Sequence, residues 1–195
     1  MTKSRLEAFS DGVIAIIITI MVLELKIPHE SDLAALAGLL PVFVSYILSF
    51  VFVGIYWGNH HHLLHTLHQV NSKIIWANMS LLFALSLIPF STGWMGENHF
   101  DNLPVAVYAI NLLLCAITYF ILQTSIMSAH SHSTKLIEAL KKQEKKGIFS
   151  LVVYTISIPC AFFYPIISAL LIVFISVIWI IPDPNIEQAL REAQQ

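Results

Sequence analysis

Apolar residues along this chain gather into six long segments that short polar stretches separate. The segments run roughly from Leu6 to Leu25, Leu36 to Leu64, Ile74 to Trp94, Pro104 to Ser128, Gly147 to Phe163 and Pro165 to Ile181. A helix of about 20 apolar residues is long enough to cross the hydrocarbon core of a bilayer. The pattern predicts an all-α, polytopic membrane protein with six transmembrane helices over residues 1–182, followed by a short tail over residues 183–195.

The first segment differs from the others because polar side chains interrupt it. Ser10, Asp11 and Thr19 lie within an otherwise apolar stretch. An ionisable side chain at this depth is costly in lipid, so it is expected to face protein or a water-filled path. Asp11 is the only acidic residue deep within any of the six segments. The first segment is therefore the leading candidate for function.

An apolar stripe runs along the same predicted helix. Ile16, Ile20 and Leu23 recur at i, i+4 and i+7, so they share one face, and Thr19 lies beside them. Copies of this helix around a symmetry axis would stack these side chains into apolar rings. On periodicity alone, a packing seam inside one subunit explains the stripe more simply. The polar residues at the start of the helix would form a hydrated entrance next to the stripe, and this arrangement favours a pore.

Composition narrows the function classes. The chain of 195 residues is 57% hydrophobic and 11% charged, and its net charge of −2 leaves no basic surface for nucleic acid. The enzyme patterns HExxH and GxSxG do not occur in the sequence, and no second membrane acid pairs with Asp11. An enzyme is therefore not expected. Cys115 and Cys160 both lie in apolar segments, where buried thiols are expected rather than a disulfide.

Basic residues predict the orientation in the membrane. Lys26 lies between the first and second segments, and the other nine of the ten Lys and Arg lie where an even number of spans places them on one side. These nine are Lys3, Arg5, Lys73, Lys135, Lys141, Lys142, Lys145, Lys146 and Arg191. The positive-inside rule assigns that side, with both termini, to the cytoplasm.

A histidine cluster at the end of the second segment supports an alternative function. Its members are His60, His61, His62, His65 and His68. The spacing of His61 and His65 (i, i+4), and of His65 and His68 (i, i+3), would allow metal ligation from one helix face. A transition-metal cation transporter that uses the His60–His68 cluster is therefore the alternative. No carboxylate or cysteine lies among these histidines, which favours hydrogen-bonded or solvated roles and no metal site.

The amino-terminal motif Arg5-x-x-x-Phe9-Ser10-Asp11 resembles the RxxxFSD signature of the endosomal and lysosomal potassium channel family, called transmembrane protein 175, and in particular its prokaryotic members. The chain length and the six-segment layout add to the likeness. Animal members carry two repeats in one chain, whereas this sequence contains one copy of the signature. The resemblance implies a homotetramer in the inner membrane of a prokaryotic cell, with four first helices around a central pore.

The resemblance also implies roles for the stripe. The narrowest point of these channels consists of apolar side chains of the first helix, which correspond here to Ile16, Ile20 and Leu23. Thr19 matches a threonine that is linked to selectivity, and the usual carbonyl filter sequence TVGYG does not occur. The implied function is a channel with a moderate preference for potassium over sodium. Potassium ions are then the permeant species, in transit near Ile16 and Thr19, and no cofactor is expected.

Behind the pore, the resemblance implies a hydrogen-bond network between the first and second helices. Its expected members are Arg5, Phe9, Ser10, Asp11, Trp57, Asn59, His60 and His61. A buried aspartate needs hydrogen-bond donors, which tryptophan, asparagine, histidine and serine can supply. The expected partners of the protein are therefore monovalent cations, the lipid bilayer and further copies of the chain, with no nucleic acid.

Overall fold

The fold is built from α-helices in the residues that the computed structural model describes, which are 1–67, 69–129 and 134–180, with side chains left aside for 134–139. The helices are α1 (Lys3–Met21), α2 (Leu33–Gly38), α3 (Leu40–His65), α4 (Ser72–Ser86), α5 (Ile88–Glu97), α6 (Asn102–Ser128), α7 (Thr134–Phe163) and α8 (Pro165–Ile180). A 3-10 turn over Val22–Glu24 follows α1 directly. These described residues contain no β-strand, so the all-α class is confirmed.

Several helices are long and apolar enough to cross a membrane. Within the described residues the five such spans are Lys3–Glu24, Leu40–His65, Ser72–Glu97, Asn102–Ser128 and Leu140–Phe163. The sixth predicted segment forms α8, an apolar helix of 16 residues. Residues 181–195, which include the end of that segment and the predicted tail, lie outside the described residues. A polytopic membrane protein is confirmed, whereas six complete spans remain a prediction.

Prolines divide two of the predicted segments. Pro41 lies in the first turn of α3, and Pro89 lies in the first turn of α5. Proline has no backbone N–H to continue a preceding helix and is well tolerated in a first turn. The second segment therefore breaks into α2 and α3, and the third breaks into α4 and α5. A tight turn joins the last two segments, with α7 ending at Phe163 and α8 beginning at Pro165.

The helix α6 lies at the centre of the bundle and packs against α4, α5, α7 and α8. Its residues Tyr108, Leu112 and Leu122 belong to one apolar core, as does the thiol-bearing Cys115. The helix α1 lies at the edge of the bundle and packs against α3, α4 and α5. One face of α1 is therefore covered by its own chain and the other is not.

Candidate functional site

The two faces of α1 differ sharply in exposure. The buried residues of this helix face α3, α4 and α5. They are Leu6, Ser10, Ile14, Ile17 and Met21. The predicted apolar stripe lies on the other face, where Ile16 is 58% exposed, Ile20 is 42% exposed and Leu23 is 74% exposed. Among the described residues, the stripe stays substantially exposed, with Ile16 and Ile20 along one wall of a groove against α5, so it is not a closed packing seam.

Thr19 lies on this exposed face and uses its hydroxyl hydrogen within the helix. Its Oγ1 lies 3.1 Å from the carbonyl oxygen of Ala15 and 2.9 Å from that of Ile16. The hydroxyl donates to these carbonyls, so the lone pairs of its oxygen point away from the backbone. The exposed side of Thr19 is therefore an acceptor of the kind that a cation prefers.

Asp11 lies in the first half of α1 and accepts a hydrogen bond from a side chain of α3. Trp57 Nε1 donates a hydrogen bond to Asp11 Oδ1 over 2.9 Å. The indole group is a donor only, so the bond is directed at the carboxylate. Asp11 itself is half-buried, whereas Trp57 is exposed along one side. This hydrogen bond is one of the contacts expected between the first and second predicted helices.

A second, fully buried chain of hydrogen bonds joins three helices. His60 Nε2 lies 2.7 Å from Asn78 Oδ1, and Asn78 Nδ2 donates to Ser10 Oγ over 2.9 Å. Ser10 Oγ in turn donates to the Leu6 carbonyl over 2.8 Å. Because an amide oxygen only accepts, His60 must carry its proton on Nε2. Asn78 is a residue that the sequence reasoning missed, although an asparagine inside the third apolar segment was itself a signal.

The other expected members of the network lie apart from these bonds. Arg5 and Phe9 are exposed on α1, and neither side chain makes a hydrogen bond within the described part of the chain. Asn59 Nδ2 donates to the Ile55 carbonyl over 2.8 Å, and its side chain faces α6 and α7 rather than α1. His61 is half-buried, and its ring packs 6.2 Å from that of Trp57.

One contact at the same end of the bundle was not predicted. Lys3 Nζ donates to the backbone carbonyl of His65 over 2.7 Å. This bond ties the start of α1 to the end of α3. Lys3 also lies 3.9 Å from Glu7, one turn further along α1. The sequence predicts only an orienting role for Lys3, because it does not show which helix end packs beside this lysine.

At the opposite end of α1, two carboxylates flank a groove between α1 and α5. The groove is lined by Ile16, Ile20, Glu24, Gly93 and Glu97, among others. A Cβ at Gly93 would lie 2.8 Å from Glu24 Oε2, so this carboxylate rests directly on the glycine backbone. Lys26 forms a hydrogen-bonded ion pair with Glu97, and that bond together with the negative charge raises the pKa of Lys26. Lys26 therefore pairs directly with Glu97, and the negative charge of Glu24 adds a weaker attraction that also raises the pKa of Lys26.

The histidine cluster does not assemble a metal site in the described residues. Its rings stack edge to face, with centroids of His61 and His65 5.3 Å apart and those of His61 and His62 5.7 Å apart. No group of three or more His, Cys, Asp or Glu residues that could hold a metal ion occurs within the part of the chain that is described. His68 lies outside the described residues.

The chain is similar to potassium channels of bacteria. A family model described as "Endosomal/lysosomal potassium channel TMEM175" matches residues 5–89. A potassium channel of Chryseobacterium sp. (strain P1-3) is 52% identical over 192 residues, which are 98% of this chain and 100% of that protein. A potassium channel of Streptomyces collinus is 30% identical in an alignment of 125 residues that covers 60% of this chain and 61% of that protein.

The fold is also similar to a solved structure. The crystal structure of a lysosomal potassium-selective channel TMEM175 homolog from Chamaesiphon minutus superposes with a TM-score of 0.82. The match covers 91% of this chain and 95% of that chain, at 24% sequence identity. At this identity the similarity bears on the fold alone. The arrangement of helices around α6 and the position of α1 at the edge are therefore those of a known channel fold.

Proposed function

The chain belongs to the endosomal/lysosomal potassium channel TMEM175 family, and from this premise we propose that potassium crosses the membrane along the exposed face of α1 in a homotetramer. The family is one of ion channels, so the protein is a potassium channel and not an enzyme, and potassium is its permeant ion. The comparisons lend no support to the transition-metal alternative.

The observation that carries the proposed pathway is the exposure of the apolar stripe on α1. Within the described residues Ile16, Ile20 and Leu23 are 42% to 74% exposed, although the opposite face of the same helix is buried. One helix face cannot enclose a path for an ion. Several copies around an axis can, and four first helices would bring four equivalents of each side chain together. The stripe then forms rings rather than a surface.

Apolar rings account for gating without a carbonyl filter. An ion cannot keep its hydration shell through a narrow apolar ring, and water itself leaves such a ring, so the ring closes by dewetting. We propose that Ile16, Ile20 and Leu23 form this constriction. Widening of the ring by a small movement of α1 would rewet it and open the pore.

Selectivity for potassium is assigned to Thr19. Its oxygen lone pairs face the same side as the stripe, because its hydrogen is engaged by the carbonyls of Ala15 and Ile16. A ring of four such oxygens replaces part of the hydration shell of an ion. Potassium loses its shell more easily than sodium, so the proposal gives a moderate preference for potassium, with the ion in transit near Ile16 and Thr19.

The remaining topology completes the proposal. Both termini lie on the cytoplasmic side of a bacterial inner membrane, because nine of the ten basic residues gather there. Residues 1–182 form the six-helix channel unit and residues 183–195 form a cytoplasmic tail. Asp11, bonded to Trp57, and Ser10, bonded to Asn78, support α1 from behind and do not contact the ion.

Potassium flux through purified protein tests the pathway. The change Ile16→Ser places a hydroxyl in the proposed ring, and we expect faster flux into proteoliposomes because a polar ring stays wet. Ile110→Ser is the matched control, since Ile110 is 49% exposed on α6, away from α1. A cysteine at Leu23 should also form a disulfide between neighbouring copies. Wild-type flux for Ile16→Ser, together with no cross-link at Leu23 in a conducting protein, would place the path elsewhere.

A further inference from the structure

A groove runs along the outer surface of the bundle between α3 and α8, away from the proposed pore helix. Its two parts offer about 160 Å³ and 270 Å³ to the centres of water-sized molecules, far more than single waters need. The two parts meet at Val51 and Ile180, which line both. Val51 is 40% exposed and Ile180 is 52% exposed, so the groove opens outward. Along this line α3 and α8 therefore leave an open surface that faces the bilayer.

The lining of the groove suits a hydrocarbon chain. None of the residues that line it is Asp, Glu, Lys or Arg. Gly54 and Gly58 lie on its α3 wall, and no atom lies within 4 Å of the place where a Cβ would be at either glycine. Val51 and His62 are 11 positions apart on α3, a rise of about 16 Å, and one leaflet of a bilayer has a hydrocarbon depth of about 15 Å. The groove therefore matches a lipid tail in polarity and in length.

Positive charge lies at one end of the groove. Lys146 Nζ is 5.3 Å from the centre of the Trp179 ring, and Trp179 forms part of the groove wall together with His62. Lys142 lies one turn earlier on the same face of α7. His62 belongs to the last turn of α3, and Lys146 directly precedes the fifth apolar segment. These groups therefore lie at the level where the helices leave the hydrocarbon, which is also where tryptophan is enriched.

The charge at this end defines the kind of occupant. An apolar groove that ends beside lysine is complementary to a molecule with an apolar tail and a negative head. Lysine near the membrane surface attracts anionic lipids, and its ammonium group donates strong hydrogen bonds to phosphate oxygens. A zwitterionic lipid offers the same tail without the net negative charge. We propose that the groove between α3 and α8 binds one acyl chain of an anionic phospholipid, with the phosphate group beside Lys146 and His62.

A lipid in this position connects two helices. Its tail contacts the α3 wall at Gly54 and Gly58 and the α8 wall at Val177 and Ile180. A ligand that binds the folded state and not the unfolded state stabilises the folded state by mass action. The anionic lipid is therefore expected to raise the midpoint temperature of thermal unfolding. This effect does not depend on where the ion crosses the protein.

Native mass spectrometry of the purified protein in detergent tests the site, with phosphatidylglycerol or phosphatidylcholine of the same acyl chains added. We expect wild type to retain phosphatidylglycerol at lower concentrations than phosphatidylcholine. Lys146→Gln should weaken retention of phosphatidylglycerol about fivefold, because one lysine near the headgroup is lost, whereas Lys146→Arg keeps the charge and should bind as wild type does. Lys141→Gln is the matched control, since Lys141 is exposed and lies about 140° around α7 from Lys146.

A second variant fills the groove. Gly54→Leu places a side chain where no atom lies within 4 Å, so it should weaken retention of both lipids and remove the rise in midpoint temperature with phosphatidylglycerol. Ile117→Phe is the control for added bulk, since Ile117 is 40% exposed on α6, outside the groove.

Three outcomes would overturn the proposal. Wild type could retain the two lipids equally, or Lys146→Gln and Gly54→Leu could both retain phosphatidylglycerol as wild type does. In the third outcome, Gly54→Leu lowers the number of copies per assembly while the lipid number per copy stays constant, which would mean that a neighbouring copy fills the groove. None of these measurements uses potassium flux, so they leave the proposed ion path untouched.

Discussion

Asn78 on α4 donates a hydrogen bond from its Nδ2 to Ser10 Oγ on α1 over 2.9 Å, although the two residues are 68 positions apart in sequence. Its Oδ1 is 2.7 Å from His60 Nε2 on α3, so one amide group joins three helices. Ser10 and Asn78 are completely buried and His60 is 1% exposed, so water does not compete for these bonds. The amide therefore fixes how α1 sits against the helices behind it.

The change Asn78→Leu should lower the free energy of unfolding. Leucine keeps a similar volume but leaves His60 Nε2 without its acceptor, and a buried unsatisfied group costs about 1–3 kcal/mol. Ser80→Ala is the control on the same helix, because the exposed Ser80 hydroxyl donates only to the Trp76 carbonyl. Thermal unfolding in detergent measures both. If the midpoint temperature of Asn78→Leu equals that of wild type, the Asn78 amide does not contribute to the stability of the helix bundle.

The positions of the helices could be predicted from the sequence because a bilayer imposes a simple rule. Segments that cross lipid must be long, apolar and helical, and this requirement is visible in hydropathy alone. The breaks before Pro41 and Pro89 were visible as prolines, but whether a proline kinks a helix or ends it depends on packing. Pro159 illustrates the difference, because α7 continues through it.

The partners of polar side chains could be predicted only in part. Trp57 meets Asp11 as expected, whereas Asn59 lies two residues further along α3 and faces α6 and α7. Residues two positions apart on a helix are separated by about 200° around its axis, so nearness in sequence does not place them on one face. Asn78 was missed, because its contact with Ser10 depends on the packing of α4 against α1, which the sequence does not show.

The change Trp57→Phe should reduce potassium flux more than it alters selectivity. Phenylalanine retains an aromatic ring but cannot donate to Asp11, so the first half of α1 loses a directed contact to α3. Thr19 lies two turns further along α1, so the reversal potential should stay at the wild-type value. Trp76→Phe is the control, because Trp76 is 73% exposed and lies on α4. A shifted reversal potential with undiminished flux would mean that this contact acts on the ion path itself.

The change Gly96→Ala should destabilise the protein because α5 and α3 touch at this glycine. An added Cβ would lie 2.7 Å from the Cα of Val42, which belongs to the backbone and cannot rotate away. Overpacking of this kind costs about 1–3 kcal/mol. Gly58→Ala provides the comparison, since no atom lies within 4 Å of its added Cβ and alanine favours the helix. The midpoint temperature of thermal unfolding should fall for Gly96→Ala alone. An equal fall in both variants would contradict the close contact between α5 and α3.

The change Thr19→Ala should reduce the preference for potassium over sodium. Alanine removes the oxygen that faces the stripe, whereas Thr19→Ser retains a hydroxyl that can donate to the same helix carbonyls. Reversal potentials under bi-ionic conditions in planar bilayers measure the preference directly. We expect Thr19→Ser to remain near wild type and Thr19→Ala to move toward equal permeability. Wild-type values for Thr19→Ala would remove this residue from selectivity and leave the apolar constriction unaffected.

The change Glu24→Gln should reduce potassium current mainly at low ionic strength. Glu24 follows Leu23 directly, its carboxylate rests on Gly93, and Lys26 forms its hydrogen-bonded ion pair with Glu97 while attracting Glu24 more weakly. A fixed negative charge beside a pore mouth raises the local cation concentration, and salt screens it over a Debye length that falls from about 30 Å at 0.01 M to about 3 Å at 1 M. The ratio of wild-type to variant current should therefore approach one as potassium chloride is raised. Glu30→Gln, in the exposed loop before α2, is the matched charge control and should have a smaller effect. A deficit in Glu24→Gln that persists unchanged at high salt would assign Glu24 a structural role through its contact with α5 instead.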